Sequence, residues 1–154
     1  MKISSNFDSG NIKVIEATDP LNIQLEINKD HQSEFYQWFH FRLETTPYQL
    51  HKLNINELDK SAYPDGWEGY QAVASYDRQT WLRVPSSYEN GTLSFEIEPE
   101  CGSVYFAYFA PYSYDRHLDL LSWAQSQGAC QLITLGETLD GLDMSVLKIG
   151  EPSE

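Results

Sequence analysis

Apolar and polar residues alternate with a period of two through much of the first two-thirds of the chain. In residues 21–27, Leu21, Ile23, Leu25 and Ile27 fall on one side, and Asn22, Gln24 and Glu26 on the other. That period predicts a half-buried strand. Residues 34–43 follow a polar turn. They place Phe35, Phe39, Phe41 and Leu43 on one face and Tyr36, Trp38, His40 and Arg42 on the other. Bulky side chains on both faces predict a central strand, covered on both sides. Residues 70–84 read as a hairpin turning near Asp77 and Arg78. Residues 86–98 contain Asn90-Gly91, a strong short turn signal, followed by Leu93, Phe95 and Ile97 in alternation. Residues 104–110 form another run apolar on both faces, ended by Pro111, which lacks an N–H for the ladder. Short strands with no helix between them predict a mainly β domain, an antiparallel β-sandwich.

The period changes after Pro111. Ser113 suits a helix N-cap, Asp115 suits the positive end of the helix dipole, and Gly128 suits a C-terminal cap. Tyr114, Leu118, Leu121 and Ala124 fall on one helical stripe. Residues 130–149 then give two strand-like runs around an Asp140-Gly141 turn. A lone hairpin is marginal in water. The expected organisation is a sandwich over 1–112, a connecting helix over 113–128, and the opening of a second domain over 129–154.

Composition narrows the range of functions. The chain has 154 residues, of which 41% are hydrophobic and 14% aromatic, which suits a packed globule rather than a disordered chain. Ten basic against 23 acidic residues leave a formal net charge of −13. That balance disfavours nucleic acid and anionic membrane surfaces as partners, because phosphate binding draws on lysine and arginine. The N-terminal residues lack the apolar core of a signal peptide, so cytoplasmic residence is expected. Cys101 and Cys130 then read as reduced thiols.

Candidate chemistry is sparse. His31 and Glu34 have H-x-x-E spacing, but they lie in a polar turn with no third ligand nearby, and a solvated turn is the better reading. His40 reads as a hydrogen-bonded, semi-buried histidine. Asp77 and Arg78 read as a turn in which the aspartate caps the backbone, in preference to a ligand clamp. Trp81 is expected in the core. No Gly-rich phosphate loop, G-x-S-x-G elbow or CxxC occurs.

Four segments in order carry a family likeness: SNFDSGNI (5–12), QWFHFRL (37–43), GWEGYQAVASYDRQTWLRV (66–84) and YFAYFAPYSYDRH (105–117). Together they resemble the N-terminal domain of cytosolic carboxypeptidases, the Nna1-like branch of M14 zinc metallocarboxypeptidases, and the bacterial members in particular. The resemblance implies a sandwich beside an α/β carboxypeptidase domain, of which 129–154 would be the first hairpin, with the body outside this chain. It implies a parent enzyme that hydrolyses C-terminal peptide bonds with one zinc ion held in the catalytic domain. No catalytic or metal-binding residue of the family falls within residues 1–154, so this chain is expected to be non-catalytic and to hold no cofactor. The implied partners are its own catalytic domain and, through it, peptide or protein C-termini. Tyr112, Tyr114 and Arg116 are assigned to the domain boundary and the active-site entrance; the alternative is that these rings only fill the core. The competing function is a stand-alone peptide- or carbohydrate-binding sandwich, for which an exposed face carrying Trp38, Trp67 or Trp81 would speak.

Overall fold

A computed structural model describes residues 1–128 and 130–150. The chain divides into two compact units, Met1–Pro111 and Tyr112–Glu154. Residue 129 and residues 151–154, part of the expected second domain, lie outside the described residues.

The first unit is mainly β, built from two five-stranded sheets. One sheet has the order β1 (Lys2–Ser4), β4 (His40–Glu44), β10 (Ser103–Ala107), β6 (Val73–Ser75), β7 (Leu82–Arg83). The other has the order β2 (Lys13–Glu16), β3 (Ile23–Glu26), β5 (His51–Asn56), β9 (Thr92–Ile97), β8 (Ser86–Glu89). The pairings are antiparallel except that of β3 with β5, which is parallel. The expected antiparallel sandwich forms, with that one parallel pair inside it. Two short 3₁₀ turns, Leu58–Lys60 and Pro64–Trp67, connect β5 to β6.

Alternation sets the layers. Phe41 and Leu43 of β4 pair with Phe106 and Val104 of β10, and all four are fully buried. Ile23, Leu25, Leu53, Ile55, Leu93 and Phe95 supply the facing layer from the other sheet. A chain of rings crosses the interior: Phe95 to Phe106 at 5.2 Å, Phe106 to Phe41 at 5.2 Å, Phe41 to Phe39 at 6.2 Å, and Phe39 to Trp67 at 6.5 Å. The buried indole N–H of Trp67 donates to Ser61 Oγ at 2.8 Å, which removes the penalty of an unmet donor.

The Asn90-Gly91 turn joins β8 to β9 with both residues left-handed, φ 51° and 79°, as a type I′ turn requires. A Cβ on Gly91 would lie 2.6 Å from Asp59 Oδ1, so the close approach of that side chain adds a second demand for glycine. The turn at Asp77 and Arg78 also stands where alternation placed it, between β6 and β7.

Several expectations are corrected. The strand expected over 34–43 begins only at His40. The Phe35 carbonyl accepts from Asp30 N at 2.8 Å, and this turn leaves the Phe35 ring in solvent. Leu21 is also exposed, because Asp19 Oδ1 holds its N–H in a turn before β3 starts. The ladder of β10 ends at Ala107, and one more bond, Tyr108 N to Phe39 O at 3.0 Å, precedes exposed Phe109 and Ala110; the run therefore stops short of Pro111. Strands β1, β2 and β5 carried no reading from sequence. In β5, Asn54 and Asn56 disguise the strand, since asparagine is poor in ladders. Here their side chains are satisfied across strands: Asn54 Nδ2 donates to Ile23 O, Ser94 Oγ to Asn54 Oδ1, Asn56 Nδ2 to Gln24 Oε1 and Thr92 Oγ1 to Asn56 Oδ1.

In the second unit, α1 spans Tyr114–Ser126, with Ser113 Oγ accepting from Arg116 N at 3.3 Å as N-cap. Gly128, at φ 72°, donates to Gln125 O at the C-terminus. Leu121 is buried while Leu118 is exposed, so the sheltered stripe runs through Tyr114, His117, Leu121 and Ala124 and not through Leu118. Strands β11 (Cys130–Glu137) and β12 (Asp143–Ile149) form a hairpin closed at Gly141, φ 75°. No helix among the described residues is long and apolar enough to cross a membrane.

The ring chain makes Phe106 the most demanding position in the sandwich. Phe106→Ala is expected to lower stability by about 3–5 kcal/mol, the usual range for a buried phenylalanine truncated in a packed core. Urea denaturation followed by tryptophan fluorescence measures this; a loss below about 1 kcal/mol would contradict the packing described.

Candidate functional site

The outward face of β4 and β10 carries a cluster of rings around one histidine. His40, 1% exposed, points away from the core that Phe39 and Phe41 enter. Four rings meet it: Phe7 at 4.9 Å, Trp81 at 5.7 Å, Trp38 at 6.1 Å and Tyr105 at 6.2 Å. Its Nδ1 lies 3.0 Å from Ser9 Oγ, and its Nε2 has no hydrogen-bond partner. Burial, with the nearby Arg78 charge adding and Asp8 opposing, lowers the His40 pKa from 6.5 to about 4. The imidazole is therefore neutral at pH 7.

The segment that covers His40 is held in an unusual backbone path. Asn11 and His40 exchange backbone bonds, Asn11 N to His40 O at 2.8 Å and His40 N to Asn11 O at 3.1 Å. Ser9 is left-handed at φ 63°, and its carbonyl accepts from Trp38 Nε1 at 2.7 Å. At Gly10 a Cβ would stand 2.0 Å from Ser5 O, so only glycine fits.

The β6–β7 turn closes the other side. Asp77 Oδ1 accepts from Gln79 N at 2.8 Å, Thr80 N at 2.7 Å and Ser75 Oγ at 3.0 Å. These bonds, the backbone ones first, hold its pKa down at about 2. The capping reading of Asp77 is correct. Arg78 is left-handed at φ 62°, and its guanidinium carbon sits 5.7 Å from the Phe7 centroid and 5.4 Å from that of Tyr105. Trp81, expected in the core, is half-buried on this outer face, with Nε1 donating to Arg78 O at 3.3 Å. Three of the four motifs with family likeness thus converge directly on His40, and Tyr105 brings the fourth. Nothing in any single segment announces that convergence.

The residues assigned to the domain boundary lie together at the start of α1. The Arg116 guanidinium stands 5.5 Å from the Tyr112 ring. His117 meets Tyr112 at 6.3 Å and Tyr114 at 6.2 Å. Tyr112 is 55% exposed, which does not fit a ring that only fills a core.

Other candidates separate. Glu34 pairs with Lys29. Among the described residues no group of three or more His, Cys, Asp or Glu is placed to hold a metal ion. His51 is fully buried; its Nδ1–H donates to Gln49 O at 2.6 Å and its Nε2 meets Thr45 Oγ1 at 2.8 Å, a structural tie. Cys101 and Cys130 are free thiols. The binding-module alternative needed exposed tryptophans, yet Trp67 is wholly buried and Trp38 and Trp81 are half-buried around His40.

His40 makes stability depend on pH. The unfolded chain takes up its proton near pH 6.5 and the folded chain only near pH 4. Stability is therefore flat above the upper value and falls as pH drops through that window, by on the order of 2 kcal/mol. Urea midpoints at pH 7, 5.5 and 4 measure it. His40→Gln is expected to remove most of that fall, leaving the smaller share of His51, whose pKa burial also lowers.

Comparison with known proteins places this geometry. Residues 3–109 match the model of the cytosolic carboxypeptidase N-terminal domain. An uncharacterized protein of Zymomonas mobilis is 42% identical over 151 residues, covering 98% of this chain and 40% of that protein. A carboxypeptidase A-like protein of Shewanella denitrificans superposes with a TM-score of 0.93 at 51% identity, over 98% of this chain and 40% of its own. A metallo-carboxypeptidase of Pseudomonas aeruginosa, solved with (2-guanidinoethylmercapto)succinic acid, gives 0.88 at 43% identity, over 99% and 41%. The chain thus spans about 40% of the length of the relatives it matches. With the family model covering most of its residues, the chain belongs to the cytosolic carboxypeptidase family and carries that family's N-terminal domain.

Proposed function

We propose that this chain is the non-catalytic part of a zinc-dependent carboxypeptidase that removes C-terminal residues from peptides in the cytoplasm. Its work is to support folding of the catalytic domain and to shape the approach of substrate. On this reading the zinc, the water it activates and the groups that grip the substrate carboxylate belong to the part of the longer relatives that this chain does not cover.

One observation carries this reading. The β11–β12 hairpin is apolar on both faces and exposed on both. Leu132 pairs with Leu147 and Ile133 with Val146, in consecutive pairs that face opposite ways. Leu132, Leu135, Met144, Val146 and Ile149 are all more than a third exposed. Two strands alone are marginal, and strands apolar on both faces occur where layers cover each side. The hairpin fits the edge of a larger sheet with helices above and below, as an α/β catalytic domain would supply. The exposed Tyr112 ring, with the Arg116 guanidinium over it at the start of α1, fits a half-wet boundary.

The full-length protein is expected to release C-terminal residues from peptides, to lose that activity to a chelator and to regain it with zinc. The double substitution Tyr112→Ala with Arg116→Ala is expected to lower kcat/KM by about tenfold, a loss of about 1.4 kcal/mol of transition-state stabilisation. Unchanged kinetics together with an unchanged thermal midpoint would remove Tyr112 and Arg116 from the entrance.

A further inference from the structure

We propose that a patch of rings on the first unit, made by Trp38, Tyr63, Tyr108 and Phe109, is the surface on which the rest of the longer protein docks. This rests on the reading of the chain as one part of a carboxypeptidase, and it names the residues of the sandwich that meet the other part. Phe109 is 54% exposed and Tyr63 60%, while Trp38 and Tyr108 are half-buried. Trp38 stands 5.0 Å from Phe109, and Phe109 stands 5.5 Å from Tyr108. Tyr108 in turn lies 4.9 Å from Tyr70 and 5.2 Å from the buried Trp67, so the patch is continuous with the core.

The rings are fixed in place. Gln37 Oε1 accepts from Tyr63 N at 2.9 Å, and Gln37 Nε2 donates to Tyr63 O at 3.3 Å and to the Tyr108 hydroxyl at 3.4 Å. The Tyr63 ring lies so close over Gly66 that a Cβ there would stand 2.4 Å from it. The Tyr70 hydroxyl donates to Tyr108 O, and Tyr108 N donates to Phe39 O at 3.0 Å. Rings already held lose little freedom when a partner covers them. Composition says what fits. Residues 35–39 and 104–112 hold no Asp, Glu, Lys or Arg, in a chain with ten basic and 23 acidic residues. Aromatic enrichment with charge depletion marks the core of a protein–protein interface. The covalent chain selects the occupant. Phe109 stands two residues before Pro111, where the first unit ends, so the chain that follows starts beside the patch. A domain further along that chain meets these rings at an effective concentration on the order of millimolar. The relatives offer such an occupant, since this chain covers only 40% of their length.

Two measurements on the full-length protein test this: photo-cross-linking with benzoylphenylalanine in place of Phe109, and hydroxyl-radical footprinting of the unsubstituted protein. Cross-links are expected within one chain, to residues beyond 154. Tyr63 is expected to oxidise at least about tenfold more slowly than Tyr48, which is 70% exposed in the loop after β4. Cross-links to a second chain, cross-links confined to residues 1–154, or none at all overturn the proposal. So does a Tyr63 that oxidises as fast as Tyr48 in the unsubstituted protein, whatever the variant does. A peptidase assay on the same protein separates the two readings. A covered patch without peptidase activity removes the enzyme and keeps the interface; an open patch in an active enzyme does the reverse.

Discussion

The alternation of β4 is the constraint on which the first unit rests. Phe41 and Leu43, with Phe39 just ahead of the strand, turn inward and meet Phe106, Val104 and Trp67. His40 and Arg42 turn outward, where His40 meets Phe7, Trp38, Trp81 and Tyr105. A slip of one residue would send a histidine and an arginine into the core and three large apolar side chains into water. The hydrophobic core and the outer cluster are therefore two sides of one strand, and neither can be rearranged alone. The central place of β4, between β1 and β10, fixes its register from both edges.

Much of this was legible where a local signal sufficed. Asn90-Gly91 states its own turn, Asp77 caps the next, Ser113 starts the helix, and Leu93 with Phe95 marks a buried face. What escaped depends on partners far away in the chain. Asn54 and Asn56 look wrong for a strand until Ser94, Gln24 and Thr92 are beside them. Phe35 looks like a core residue until the turn at Asp30 removes it from the sheet. Trp81, expected in the core, has an indole N–H that needs an acceptor and finds Arg78 O on the outer face. The His40 site joins Phe7 to Tyr105 across almost the whole unit, and no spacing rule spans that distance. Its trace in the sequence was indirect: the segments with family likeness are the ones that meet there. Tyr112, Tyr114 and Arg116, being neighbours on one helix start, were legible as a group.

The two units differ in kind. The sandwich closes its own core, with fully buried residues drawn from both sheets. The hairpin of the second unit leaves apolar side chains open on both faces. Family membership gives that contrast a sense, since the relatives are more than twice as long as this chain. The proposed function reads the sandwich as a support and the hairpin as part of a larger sheet.

Native-state hydrogen exchange in the full chain tests the coupling of core and outer face most directly. If one strand serves both, the amides of Asn11 and His40, which bond to each other's carbonyls, exchange only through the same global opening as those of Phe41 and Phe106. Exchange of Asn11 and His40 at a much lower opening energy than Phe41 and Phe106 would contradict the account, because the cluster would then be a loose cover and not the second face of the core.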